Sequence, residues 1–559
     1  MRTERPFDCL VIGYNEPPFE KYEGLIRQYG EHSEAYRDLK HSFVTLGERK
    51  LNYVDLLNHA TDLARGREPN GEGSYRSGDI PTLAAVYLTS FLRRRGFRAT
   101  YVNLFQHEKE KLIELLRDDP LCVAITTTLY VLNLPAIEIV EFIRQHNPKV
   151  KIIVGGPLVA NHARNYRSHE RDFVAAQGGD PAERHEGFIT ALDEIGADIY
   201  VIEGQGEWTL AQTVACLKQG GSLSQVPNIV YFEDGRYQMT GARAENNSLE
   251  ENYINWNEFR DEGLGPTIQT RTARSCAFKC SFCNYPTRAG ALTLASLETI
   301  EKELDSIREL GGVENVVFID DTFNVPFPRF KEICRLMIRK NYGFNWFSYF
   351  RCSNSDEEAF ELMAESNCKG VFLGVESGSP RILENMNKAA TVEKYARGIE
   401  LLRQHNILTF GSFIVGFPGE TAQTIAETTA FIRETGLDYY RAQLWYCEPG
   451  TPIFHQRDKY GIEGEGFVWN HDTMESMEAL DYIDRMFLTI RESLWLPQWS
   501  FDFWIIPYLT GKGISLERFR EFMTLADRLL TMEIASVPPQ EKEEAQGQHL
   551  QNLVKVLAA

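Results

Sequence analysis

Three cysteines, Cys276, Cys280 and Cys283, stand at a CxxxCxxC spacing inside Arg274-Ser-Cys276-Ala-Phe-Lys-Cys280-Ser-Phe282-Cys283. Thiolates this dense point to a metal site, because a reducing compartment keeps thiols free for metal rather than for disulfides. A structural zinc ion is the simpler alternative, but zinc sites mostly draw four ligands from two separated pairs. A cubane iron–sulfur cluster takes four thiolates, one for each iron, and this run supplies three. One iron would stay open to chelate a small molecule.

Other residues of this kind sit at turns farther along. Asp320-Asp321 and Glu376-Ser377 each supply hydrogen-bond acceptors at such a turn. Gly411-Ser412-Phe-Ile-Val-Gly416-Phe-Pro-Gly419-Glu420 is a glycine-punctuated run. Upstream, Tyr14-Asn15-Glu-Pro17, Thr126-Thr127-Thr128, Gly155-Gly156-Pro157 and Glu203-Gly204-Gln-Gly206-Glu207 each follow a short apolar run. Glycines let backbone approach a large ligand, and threonine hydroxyls offer it small hydrogen-bonding groups. A helix N-cap is the bland alternative for each carboxylate.

The positioning elements follow from periodicity. Over residues 7–240, strands at 7–13, 98–104, 122–126, 150–154 and 198–202 alternate with helical patterns at 83–95 and 134–145, which predicts a doubly wound parallel α/β sheet whose ligands sit beyond the strand carboxyl ends. From about 265 to 454 six further strands alternate with helices, and catalysis in such a βα array belongs at the carboxyl ends of the strands. A charge-rich insertion at about 19–78 separates the first strand from its helix. Residues 246–264 read as a linker, and 455–559 as a helical region. There the aromatics Trp469, Trp495, Trp499 and Trp504 are expected to bury themselves against the open side of the barrel, over the substrate. The run Pro538-Pro-Gln-Glu-Lys-Glu-Glu reads as a linker before a short final helix.

The cluster loop, with aromatic Phe282 just before its last cysteine, resembles the radical S-adenosylmethionine (SAM) superfamily. The three downstream turns stand in that family's order. The resemblance implies a partial (βα)6 barrel over 265–454 carrying a [4Fe-4S] cluster on Cys276, Cys280 and Cys283, with SAM on the open iron. It also implies Asp320 or Asp321 at the SAM amino group, Glu376 and Ser377 at the ribose, and Ser412 and Gly416 beside the adenine. The loops of residues 1–245 are similar to the Rossmann-like cobalamin-binding domain that precedes the barrel in a large subgroup. Tyr14, Asn15, Pro17, Thr126, Thr127, Thr128, Gly155, Gly156, Glu203, Gly204, Gly206 and Glu207 are the positions implied to face that cofactor. The Asp-x-His-x-x-Gly motif of cobalt-ligating domains is absent, and His107 lacks both its aspartate and its glycine. The wording of the insertion resembles, more closely, the phosphinothricin-pathway P-methyltransferase group.

That resemblance implies methyl transfer from methylcobalamin to an unactivated carbon or a phosphinate phosphorus of a small or peptide-like substrate. An external one-electron reductant of flavodoxin or ferredoxin type would serve it. Relatives with the same cofactors also form or rearrange rings, or oxidise, without net methylation, and a non-catalytic cobalamin sensor is the binding-module alternative. At 559 residues the chain exceeds one ordinary core, and its net charge of −20 opposes nucleic acid and anionic lipid. No apolar run reaches a membrane span, and the N-terminal residues lack a signal-peptide core, so cytoplasm is the expected compartment. Cys9, Cys122, Cys216, Cys334, Cys352, Cys368 and Cys447 read as small core residues.

Overall fold

The computed structural model describes residues 5–69, 73–164, 181–202, 205–497, 499, 501 and 503–558. Its contacts divide it into two units, Met1–Pro17 with Pro81–Gly263, and Pro18–Ile80 with Leu264–Ala559.

The first unit is built on a seven-stranded sheet. Its parallel strands run in the order Ala99–Leu104, Cys9–Tyr14, Cys122–Thr126, Lys151–Gly155 and Ile199–Val201, and the hairpin Ile229–Glu233, Arg236–Met239 adds antiparallel to the last. Strands covered on both faces need unbroken apolar runs. Cys-Leu-Val-Ile of the first strand and all of Cys122–Thr126 are accordingly buried. Because the chain turns back at its first strand, a crevice opens beyond Tyr14 and Thr126, the switch point where this fold binds ligands. The expected linker at 246–264 is instead packed into this unit down to Gly263. Trp256 and Phe259 are fully buried there, and Phe259 meets Tyr101 edge-on at 5.9 Å.

The second unit carries six parallel strands in chain order, Thr267–Thr270, Asn315–Phe318, Asn345–Phe350, Cys368–Glu376, Leu408–Val415 and Tyr439–Leu444, with Leu494–Trp495 added at the edge. The helices Leu297–Leu310, Phe327–Lys340, Glu357–Glu365, Val392–Gln404 and Ala422–Thr435 connect them. Ser296, Asp356, Thr391 and Thr421 cap four of these by accepting an amide of the first turn. The sheet's first strand pairs on one side only, so the barrel is partial.

Aromatic residues fill the barrel floor. Phe503 reaches Phe347, Phe372 and Phe410 at 6.1, 6.0 and 6.1 Å, and Trp504 meets Tyr349 at 4.8 Å. The Pro507 carbonyl accepts from Thr267 Oγ1 and Asn315 Nδ2, both at strand amino ends. Phe503 and Trp504 therefore plug the floor, where the sequence placed this aromatic run over the substrate. The region after residue 455 also holds a three-stranded sheet, Glu463–Glu465, Val468–His471 and Met474–Glu475, besides its helices. Pro539–Ala558 is one long helix rather than a linker and a short one.

The insertion packs with the barrel unit. It folds as helices Phe19–Arg27, Glu34–Lys40 and Tyr53–Ala64 around the hairpin Phe43–Leu46, Arg49–Asn52. Arg37 pairs with Asp484 at 2.6 Å and Asp481 at 2.9 Å, and the Trp495 indole donates to the His41 carbonyl. Leu494–Trp495 covers only Tyr439 and Tyr440 of the sixth strand, which leaves the amide of Leu444 on a free edge. Asp38 accepts that amide at 3.4 Å, so a helix takes the place of a neighbouring strand.

Asp527 is enclosed between insertion and barrel, accepting from Tyr53 Oη and the Trp495 amide, and burial pushes its pKa to about 8. Between about pH 4 and that value the folded state holds a proton the unfolded state has released, so this group's contribution weakens as pH rises, by roughly 1.4 kcal/mol per pH unit. Thermal unfolding of Asp527→Asn across that range should show the variant gaining on the parent as pH rises; a constant difference would contradict the assignment.

Candidate cluster loop and cofactor cradle

The cysteine loop leaves the first barrel strand through a short ribbon in which Ala273 pairs with Leu294 and Arg274 with Thr293. Ser275 takes a left-handed φ of 72° and donates to the Gly290 carbonyl, which turns the chain into the loop. Cys280 is buried, Cys276 and Cys283 are half-buried, and all three are free thiols. Ser281 clamps the loop. Its amide donates to the Met386 carbonyl and its hydroxyl to that of Asn385, while its own carbonyl accepts from Ile453, each at 2.8 Å. Burial raises the Cys283 thiol, and the charges of Cys280 and Cys276 add to that shift. Three unbridged thiols on one clamped loop, near enough to repel as thiolates, fit three corners of an iron–sulfur cubane. Among the described residues no three His, Cys, Asp or Glu side chains gather as ligands for one metal ion.

The two aspartates after the second strand have different environments. Asp320 is buried and accepts from the amides of Thr272 and Ala273 at 2.8 and 2.6 Å and from the Thr272 hydroxyl at 2.7 Å. Asp321 is exposed on the loop side, and its crowded surroundings, then the charge of Asp320, push its pKa to about 7. Thr322 Oγ1 lies 3.5 Å from Cys276 Sγ.

Glu376 ends the fourth strand at a bulge, with a left-handed φ of 71°. It pairs with Lys388 Nζ at 3.0 Å, and both side chains are nearly buried. Burial alone would lower the Lys388 pKa, but the charges of Glu376, Tyr395 and Cys280 together outweigh it and the value rises. Gly374 makes room for this pair, since a Cβ there would meet Glu376 Oε1 at 2.7 Å. Lys388 Nζ also lies 5.3 Å from the Phe282 ring centre, which ties the pair to the cysteine loop. Lys388 carries no sequence signal, because it enters through a turn rather than a motif. Ser377 is fully buried, meets Thr428 Oγ1 at 3.1 Å and accepts the Ser379 amide, so its hydroxyl holds the turn. Ser412 is buried on the fifth strand beside Arg441. Gly416, at φ 88°, donates its amide to Glu420 and leaves no space for a Cβ against Trp469. Glu420 is fully buried, and burial pushes its pKa to about 8.

In the first unit the predicted loops lie at the carboxyl ends of the strands. Thr126 and Thr128 hydroxyls meet at 2.8 Å, while the Thr127 amide and hydroxyl donate to the Gly155 carbonyl at 2.9 and 3.0 Å. Gly156 has φ +116°, and a Cβ there would lie 2.8 Å from Thr127 Oγ1; at Gly155 it would lie 3.0 Å from Val201 Cβ. These glycines form a cradle that side chains would fill. Leu129 and Val131, 61% and 73% exposed, extend its rim with apolar surface suited to a large macrocycle. Asn15 is buried and donates to the Pro135 carbonyl and Glu138, leaving its Oδ1 buried without a partner. Tyr14 is half-buried with its ring 6.1 Å from Tyr130, and Pro17 is buried. Gly206, at φ 86°, starts the helix Glu207–Gln219, and buried Glu207 accepts from Asn247 at 2.9 Å. Glu203 and Gly204 lie outside the described residues. His107 is exposed after the edge strand, away from the switch point.

The model of the Radical SAM superfamily matches residues 270–432, and that of the B12 binding domain matches 73–186. One chain thus carries a B12-binding domain and, after it, a radical SAM domain on the partial barrel. It is 27% identical over 261 residues to an uncharacterized methyltransferase of Pyrococcus horikoshii, covering 45% of this chain and 57% of that protein. An anaerobic magnesium-protoporphyrin IX monomethyl ester cyclase of Rubrivivax gelatinosus is 23% identical over 442 residues, 75% of this chain and 74% of the cyclase. Two solved structures share the fold. The radical SAM methyltransferase TsrM from Kitasatospora setae, with cobalamin and [4Fe-4S] cluster bound, has a TM-score of 0.52 at 19% identity over 67% of this chain and 74% of its own. The cobalamin-dependent radical enzyme OxsB, with aqua-cobalamin bound, has a TM-score of 0.54 at 15% identity over 85% and 76%.

Substituting the two aspartates should separate their roles. Asp320→Ala removes three bonds from buried donors and should cost about 3–5 kcal/mol of stability together with iron uptake. Asp321→Asn should stay within about 1 kcal/mol of the parent while weakening SAM binding in equilibrium dialysis. The reverse pattern would refute this division.

Proposed function

We propose that the protein is a cobalamin-dependent radical SAM methyltransferase acting on an unactivated carbon or a phosphinate phosphorus of a small or peptide-like acceptor. The observation that carries the reading is the clamped loop of three unbridged thiols, in a chain that also holds a glycine-lined cradle within a B12-binding domain. When bound, the cluster, SAM and cobalamin supply one-electron cleavage of SAM and a transferable methyl group.

The chain's own residues bind and orient. Cys276, Cys280 and Cys283 would hold the cluster and leave one iron open to SAM. Asp321 accepts from the SAM ammonium, because Asp320 already holds Thr272 and Ala273. Glu376, fixed by Lys388, presents its second oxygen to ribose hydroxyls. Ser412 and the Gly416 turn flank the adenine. Gly155, Gly156 and Thr126 to Thr128 hold the corrin or its nucleotide tail. The aromatic floor closes the barrel from below and keeps water from the reacting groups. A flavodoxin- or ferredoxin-type protein supplies the electron. Phosphorus stands beside carbon as an acceptor because the sequence of the insertion resembles the P-methyltransferase group.

The cyclase likeness, which spans three quarters of the chain, favours a second reading, ring formation or oxidation without net methylation. Anaerobic turnover with methyl-labelled SAM separates the two. Methyl transfer yields deoxyadenosine, S-adenosylhomocysteine and labelled product together, whereas deoxyadenosine without S-adenosylhomocysteine would support the second. Cys280→Ala should lose bound iron and all three products; an iron content equal to the parent's would remove the cluster assignment.

A further inference from the structure

The sixth barrel strand places Arg441 on the inner face of the sheet, its guanidinium 5.9 Å from the ring centre of Phe410. Phe410 belongs to the aromatic floor with Phe372 and Phe503. Arg441 is only 8% exposed, and its Nε and Nη1 are buried without a hydrogen-bond partner. Among the described residues no carboxylate makes an ion pair with it. Arginine cannot shed its proton to escape burial, so an unanswered guanidinium in this setting is strongly unfavourable until an anion meets it.

The neighbouring carboxylate is already engaged. Asp38, on the insertion helix Glu34–Lys40, is close enough for the charge of Arg441 to act on it, but it accepts the Leu444 amide instead. Ser412 faces Arg441 across the strand pair, and Gln443 follows two residues on, along the same face. Arg351 is a different case. Its guanidinium stacks on Phe278 of the cysteine loop at 3.7 Å, which assigns it to the cofactor end.

We infer that Arg441 is the docking point for an anionic group of the methyl acceptor, a carboxylate or phosphinate whose two oxygens match the guanidinium fork. The inference rests on the methyl-transfer reading for what is bound, but not for whether an anion binds. A fork held over the floor fixes one end of a small molecule by charge-assisted bonds and leaves the other end free toward the strand carboxyl ends.

The test titrates cluster- and cobalamin-loaded protein anaerobically with propionate, dimethylphosphinate and the uncharged propionamide, reading heat and ligand line-broadening. At least one anion should bind and propionamide should not, the anion that binds identifying the group. Arg441→Gln should weaken that binding about tenfold or more, and Arg441→Lys less. Equal binding of neutral and anionic probes, or an Arg441→Gln protein that binds like the parent, would overturn the inference. Anion binding without labelled product would remove the methyl-transfer reading and keep the site. Labelled product made by Arg441→Gln at unchanged KM would remove the site alone.

Discussion

The carboxylate of Asp320 fastens the carboxyl end of the second barrel strand to Thr272 and Ala273, just where the first strand gives way to the cysteine loop. A buried carboxylate that accepts three bonds fixes its donors far more tightly than a turn can fix itself. The left-handed step at Ser275 and the short ribbon to Leu294 start from that anchor, and Ser281 then ties the far side of the loop to the turn after the fourth strand. The positions of the three sulfurs therefore depend on strands one, two, four and six together rather than on eight residues of loop.

The second organising constraint is the open side of the barrel. An incomplete parallel sheet exposes backbone donors along its last strand, and this protein covers them with one short strand and one helix of the insertion. The covering residues are polar as often as apolar. Asp38, His41 and Arg37 all engage the barrel or the helix Ser476–Thr489. A wall of that composition can take part in selecting a charged ligand, which an apolar wall could not.

Much of the fold was legible because local signals agreed with the tertiary result. The helix Leu297–Leu310 is bounded by its own local signals, since Ser296 caps it and Gly311 ends it. The doubly wound sheet was equally plain, as strands buried on both faces read as apolar runs. The division of labour between Asp320 and Asp321 was not, because adjacent residues after one strand differ only in which way the chain turns. Lys388 escaped notice for the same reason that Arg441 did, as neither belongs to a spacing pattern and their partners are far along the chain. The linker reading of 246–264 failed on two buried aromatics among polar neighbours. That of the terminal run failed because Glu, Lys, Gln and Ala serve a helix as readily as a tether. Trp504 was expected over the substrate and lies against Tyr349 at the barrel floor, a matter of which barrel end the chain returns to.

The chain crosses between the two units three times, after Pro17, after Ile80 and after Gly263. Neither unit is therefore a contiguous stretch of gene. A cut at the last crossing would leave the barrel without Asp38 and Tyr53, and its last strand with a bare edge. Exchange of a whole module at one chain break, easy where domains follow one another like beads, would here carry the insertion off with the wrong unit.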